Sequence, residues 1–459
     1  MERPFPEVPV TSFREALKLV GPGIILASLD VGSGELIFCS RMGALYGGAL
    51  AWTILLGALL KYWPIETMAR YTLLTGKGSN EALADIHKAF LIPFGVGFLC
   101  LALFNTPGMI SSAGTALTAI TGVADYRIWG LVTYILMMLV WFGPKVSYVA
   151  IEKLCTATTI IITVGTIFAT SLVTTPDVVV DILTGLFKFG IIPEGADPAF
   201  TLSCIATGFG GITAAMTYPY FVQSKGYGMA HYKAKISRGS SEKEGTVGEI
   251  KPKTTPEEVS KYKKWLKMLR YDLLYVSWPL QIMGALMYVW AGAAILRPRG
   301  LAPGGFQTVV AQGEIFGYLF GFGGFAFYLF LAWLSLFDTS ASVQDAYARY
   351  FADWVPTLFP KFRGKESKIY YGFLILEIIV GLFMTFSGIS PFALLIIGTC
   401  TGYWVLALAP YFAYYLMTRR VPKEYSLSTG WKIILAIAAV VLTFFGLWLT
   451  LKKLGIKII

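Results

Sequence analysis

Long apolar stretches recur along this chain, separated by short polar segments. They fall at 21–43, 48–75, 90–121, 128–143, 147–172, 200–225, 270–296, 313–345, 369–388, 391–418 and 430–452. A bilayer core roughly 30 Å thick is crossed by about 20 apolar residues in a helix, so the pattern predicts eleven spans. The first span is irregular. In GPGIILASLDVGSGELIFCSRMG, from Gly21 to Gly43, both ends are apolar, but Asp30, Gly32, Ser33, Gly34 and Glu35 interrupt the middle. Glycine at this density unwinds a helix. Broken backbone is tolerated at membrane depth only where it lines protein or a wet cavity, and an ionisable residue there marks a functional site.

The sixth span repeats this theme. TGFGGITAAMTYPYFVQS, residues 207–224, begins Gly-rich and is expected to break at Thr217-Tyr218-Pro219. Two interrupted helices five spans apart predict an inverted repeat of five plus five helices, with a substrate site at the midplane between the breaks. The chain divides accordingly. A Pro-rich cytosolic segment covers 1–11, and a first five-helix repeat covers 12–172, opening on the capping box Ser12–Glu15. An outer loop follows at 173–199, where VVVDILTGLFKFGIIP reads as an interfacial amphipathic segment. The second repeat covers 200–418, with a basic cytosolic loop at 225–268, and the eleventh span and C-terminus occupy 419–459. Pro256-Glu257-Glu258 is a helix start inside that loop.

Composition supports an all-α polytopic membrane protein: 56% of residues are hydrophobic and 14% charged, against about a quarter charged in soluble domains, and mean hydropathy is +0.64. The net charge of +11 does not indicate nucleic-acid binding. The Lys and Arg residues concentrate in alternate loops, which places the N-terminus in the cytosol of a multi-pass cell-membrane protein. Lys452, Lys453 and Lys457 oppose the outside C-terminus that an odd span count requires. No cleavable signal is expected before the first span. The five cysteines, Cys39, Cys100, Cys155, Cys204 and Cys400, fall in apolar spans and read as small core residues. His87 and His231 fall in loops, so no span offers a histidine for catalysis or zinc, and an enzyme is not expected. Lys61 and Glu66 are expected to snorkel or pair, and Glu152, Asp272 and Glu377 to lie at the interfaces. Asp338, late in the eighth span beside a small-residue stretch, is a candidate to line the inner vestibule or a secondary cation site, against the plainer reading of a charge without a role in the site.

The run GPGIILASLDVGSGELIFCSRMGALYGGALAW resembles the first span and following turn of the Nramp divalent-metal transporters. GLFKFGIIPEGADPAFTLSCIATGFGGITAAMTYPYFVQS resembles the approach to, and core of, their sixth span. The resemblance implies a LeuT-type fold with metal held between the two broken helices. The family's first-span Asp-Pro-Gly-Asn falls on Gly32-Ser33-Gly34-Glu35. Gly32 thus stands where the family has its ligating Asp, while Glu35 replaces the ligating Asn and still supplies a carboxylate. Asp30, two residues earlier, is a second candidate. With Ser224 setting the register, Met-Pro-His falls on Met216-Thr217-Tyr218, so Met216 matches the thioether ligand and Tyr218 replaces the histidine; a shifted register would match Pro219 and take Met216 out of the site. By analogy, the carbonyls of Leu29 and Thr213 complete the shell.

The expected metal ligands are therefore Glu35, Asp30 and Met216, and Gly32, Ser33, Thr213, Thr217 and Tyr218 join the carboxylates in the substrate-lining set. Each has a plainer alternative: Glu35 as the cap of a half-helix, Asp30 paired with Lys61 or Arg41, Met216 packed in the core, and Thr217 and Tyr218 bonding the backbone freed at Pro219. The third-span acidic residues that serve proton movement in the family fall near Gly108 and Ser111. The expectation is a secondary transporter of divalent cations such as Mn²⁺ or Mg²⁺, working by alternating access without the usual proton pathway. The alternative keeps the fold and carries a small organic substrate such as an amino acid or organic acid. The expected partners are the transported ion and the lipid bilayer, with no cofactor and no nucleic acid; the oligomeric state stays open.

Overall fold

The computed structural model describes residues 2–8, 34–143, 145–232, 236–237, 240–241 and 250–453. The break expected in the first span lies outside these residues, as do Leu29, Asp30, Gly32 and Ser33. The first described helix is α1, a π-helical turn at Glu35–Cys39 continued by Ser40–Tyr46. The next helices are α2 (Trp52–Thr75), α3 (Lys88–Thr121), α4 (Tyr126–Phe142) and α5 (Lys145–Val173). The 173–199 segment contains a helix, α6 (Pro176–Gly185), whose Asp181 carboxylate accepts the Gly48 N–H at 2.7 Å. Beyond it come α7 (Pro198–Ala206), α8 (Ala214–Lys225), α9 (Pro256–Arg299), α10 (Val310–Leu358), α11 (Glu366–Phe386), α12 (Pro391–Arg419) and α13 (Thr429–Lys453). Among the described residues six helices, α3 and α9–α13, are long and apolar enough to cross a membrane. α2 is of similar length but carries Lys61, Glu66 and Arg70.

Two expectations need correction. The sixth span does not break at Thr217-Tyr218-Pro219. It unwinds between α7 and α8, where φ is positive at Gly208, Phe209, Gly210 and Gly211 (71°, 37°, 77° and 56°). Such angles are available to glycine and forbid a helix, whereas Pro219 removes a single backbone bond and sits inside α8. The helix start expected at Pro256 is present: α9 begins there, and the Thr255 hydroxyl accepts the Glu258 N–H. Asp272 is therefore interior to a helix and only 1% exposed; Glu377, in the middle of α11, is 3% exposed. Glu377 therefore lies away from either end of its span, and the Glu152 side chain lies outside the described residues.

The N-terminal segment is extended and pinned. Glu2–Arg3 pairs in parallel with Lys251–Pro252, Phe5 packs against Tyr262 and Tyr425, and Lys261 bonds Glu7 at 3.0 Å. Among the described residues the cysteines are free thiols, Cys39 and Cys204 buried.

Candidate functional site

The unwound stretch between α7 and α8 forms one wall of a cavity of about 100 Å³. Gly34, Glu35 and Phe38 of the α1 end face it; Leu101, Asn105 and Met109 come from α3, Val343, Ala346 and Tyr347 from α10, and Leu395 and Thr399 from α12. The elements meet closely: a Cβ built on Gly34 would lie 3.2 Å from the Thr207 side chain. Two π-helical turns, Glu35–Cys39 and Leu101–Asn105, flank the space, a local widening common at functional sites. A single water needs roughly 10–15 Å³ of such volume, so a cation can keep several waters here.

The oxygen-bearing residues that line the cavity are Glu35, Asn105, Thr207, Thr213, Thr217, Tyr347 and Thr399, with the backbone of Gly210–Thr213. Glu35 is fully buried. One carboxylate among neutral oxygens suits a hard divalent cation that retains water. The break is stapled from outside the cavity. The Lys61 ammonium donates to the carbonyls of Ala206 and Thr207 at 2.8 and 3.0 Å and to that of Gly208, while the Gly210 N–H donates to Gln281 Oε1.

Glu35, Thr213 and Thr217 of the sequence-derived set thus share the cavity wall. Met216 and Tyr218 do not. Met216 is fully buried in the core, with its carbonyl bonded by the Ser79 hydroxyl, and Tyr218 donates to Asp272 at 2.5 Å. Both follow from α8 starting at Ala214: successive helical positions cannot all face one cavity. The Thr213 carbonyl accepts the N–H groups of Met216 and Thr217 at 2.8 and 2.9 Å, as befits a helix start. The thioether on the wall belongs to Met109, which together with Asn105 and Thr399 escaped the sequence reading. The polar NTPG interruption, Asn105–Gly108, was the one available signal.

The third-span positions are neutral. Gly108 packs on Leu395, and Ser111 bonds Thr385 at 3.2 Å. Lys61 and Glu66 do not pair with each other; Glu66 binds Arg70 at 2.6 Å and Arg270 at 3.0 Å. Asp338 is half-buried and off the cavity wall, about one turn before Val343.

The chain matches the family model described as natural resistance-associated macrophage protein-like over residues 23–452. An uncharacterized protein of Pasteurella multocida is 28% identical over 112 residues, and the match spans 22% of this chain and about a quarter (26%) of the relative's length. Among solved structures, a mutant of the manganese transporter of Eremococcus coleocola superposes with a TM-score of 0.62 at 14% identity, covering 96% of this chain and 88% of that one. A closed nucleobase-cation-symport-1 family transporter with bound bromovinylhydantoin superposes at 0.50 and 13% identity, covering 95% and 93%. These likenesses show the fold, an all-α polytopic membrane protein of LeuT type.

Proposed function

The chain belongs to the Nramp family, and from that premise we propose that it carries a divalent metal cation through the membrane, bound in the cavity between α1 and the unwound stretch that joins α7 to α8. The observation that carries this reading is that the buried Glu35 and the unwound stretch Gly210–Thr213 line one cavity, large enough for a partly hydrated ion. In it Glu35 is the charged ligand. Asn105, Thr213, Thr217 and Thr399 supply neutral oxygens directly or through retained waters, and Met109 takes the thioether position expected of Met216. Asp30, Gly32 and Ser33, which directly precede Gly34, complete the approach from the first span.

Transport proceeds by alternating access of the two five-helix repeats, with the N-terminus and the 225–268 loop in the cytosol. The usual third-span proton pathway is replaced or absent, a reading supported by the neutral packing of Gly108 and Ser111. The test is Mn²⁺ and Mg²⁺ uptake into proteoliposomes. Wild-type protein accumulates the ion, and Glu35→Ala lowers uptake by about tenfold or more, the loss of one charged ligand being worth at least about 1.4 kcal/mol. Equal uptake by the two proteins sinks the proposal.

A second reading is favoured by the apolar share of the wall, to which Phe38, Leu101, Ile212, Val343 and Leu395 all contribute. It places a small organic zwitterion there, its ammonium on Glu35. Thermal stabilisation by amino acids but not by Mn²⁺ selects it.

A further inference from the structure

Three consecutive carbonyls, those of Ala206, Thr207 and Gly208, turn toward one point. They lie at the C-terminal end of α7, where helical carbonyls lose their amide partners and the macrodipole leaves about half a negative charge. The left-handed turn at Gly208 and Phe209 keeps them from re-entering a helix. At membrane depth no bulk water is present to satisfy them, and each bare carbonyl costs several kcal/mol. Oxygens gathered in this way form a site for a small cation.

That cation is already on the chain. Lys61 is fully buried, and its ammonium reaches all three oxygens. The approach is built into α2: a Cβ on Gly57 would run into the Ile205 carbonyl, so the missing side chain lets α2 touch the last turn of α7. Lys61 follows four residues later on the same helix face. An ammonium suits this geometry better than a guanidinium, since three rotatable donors on a compact charge match three converging oxygens. Ala206, Thr207 and Gly208 line the cavity and Lys61 does not, so the ammonium stands behind the wall and holds the backbone that forms it.

We propose that the carbonyls of Ala206, Thr207 and Gly208 form a monovalent-cation site filled by the tethered ammonium of Lys61, which makes Lys61 a positioning residue that holds the end of α7 in place without a bound inorganic ion. The site is separate from the cargo cavity and does not depend on which substrate that cavity carries.

The experiment is to fill the same site from solution. Wild-type protein is expected to show the same thermal stability and uptake in sodium, potassium and choline salts. Lys61→Ala loses stability and lowers uptake at least about tenfold, as three acceptors lose their donor. Ethylammonium or potassium restores both, while choline, too large for the space, does not. Lys61→Gln, which keeps the bulk and some donors, folds more readily and acquires the same dependence on small monovalent cations, so it serves if the alanine variant does not fold. Thermal stability is read apart from transport, so an absence of Mn²⁺ uptake leaves this test intact. Wild-type-like stability of Lys61→Met in every salt, or variants equally impaired with and without small cations, would overturn the proposal.

Discussion

Glu377 shows how a single side chain can resist a reading from pattern alone. It sits mid-way along α11, 3% exposed, and among the described residues neither of its carboxylate oxygens has a hydrogen-bond partner. Burying a carboxyl without a donor costs on the order of 1–3 kcal/mol even when it is neutral. Asp272, likewise buried, avoids part of this cost by accepting the Tyr218 hydroxyl at 2.5 Å. Removing the Glu377 carboxyl is therefore expected to stabilise the fold: Glu377→Leu in purified protein should raise the apparent melting temperature, and Asp272→Leu should lower it by stranding Tyr218. A lower melting temperature for Glu377→Leu would mean that the carboxyl has a stabilising partner. Glu35 is equally buried, yet its place on the cavity wall makes its substitution an event in binding before one in stability.

Among elements, the helices were legible and the break in the sixth span only in part. Apolar runs of about 20 residues predict spans whatever their neighbours, which is why α2 to α5 and α11 to α13 fall close to the expected ranges, while α9 begins at Pro256 rather than near 270 and α10 runs on to Leu358 rather than ending near 345. The position of the second break was not legible, because proline is conspicuous in a sequence while the backbone sense of a glycine run is set by what it packs against. Met109, Asn105 and Thr399 were hidden for a related reason: each is an ordinary residue on its own helix, and only the packing of α3, α12 and the break brings them to one space. Glycine also fixes how near two helices come. α1 and α9 cross where Gly43 faces Val289 and Gly292 faces Ser40, and a Cβ at either glycine would collide with backbone. Gly292→Val is therefore expected to cost several kcal/mol through forced separation of the pair, seen as loss of the monodisperse peak in size-exclusion chromatography. Gly372→Val, where a Cβ meets nothing within 4 Å, should leave the peak unchanged.

For the whole molecule, the decisive contacts are those that fix α8 on three sides. Tyr220 donates to Asp353 of α10 at 2.6 Å, Tyr218 to Asp272 of α9 at 2.5 Å, and Gln223 to the Gly76 carbonyl beyond the end of α2 at 3.0 Å. Nearby, Glu66 of α2 is bonded by Arg270 of α9 at 3.0 Å. If the cavity opens alternately to the two faces, α8 must leave at least the first of these bonds in one of its states. A hydrogen bond to a charged group contributes roughly 1.5–3 kcal/mol, so its removal shifts the balance between states by about tenfold or more. Asp353→Asn and Tyr220→Phe should each favour the conformation open toward the 225–268 loop. A cysteine placed at Val343 on the cavity wall reports this through labelling by a membrane-impermeant thiol reagent applied from that face of oriented vesicles. Labelling about tenfold faster in either variant than in the Val343→Cys parent is expected. An unchanged rate in both variants would mean that the Tyr220–Asp353 bond survives the transport cycle, so that α8 and α10 move as one body and the opening hinge lies elsewhere.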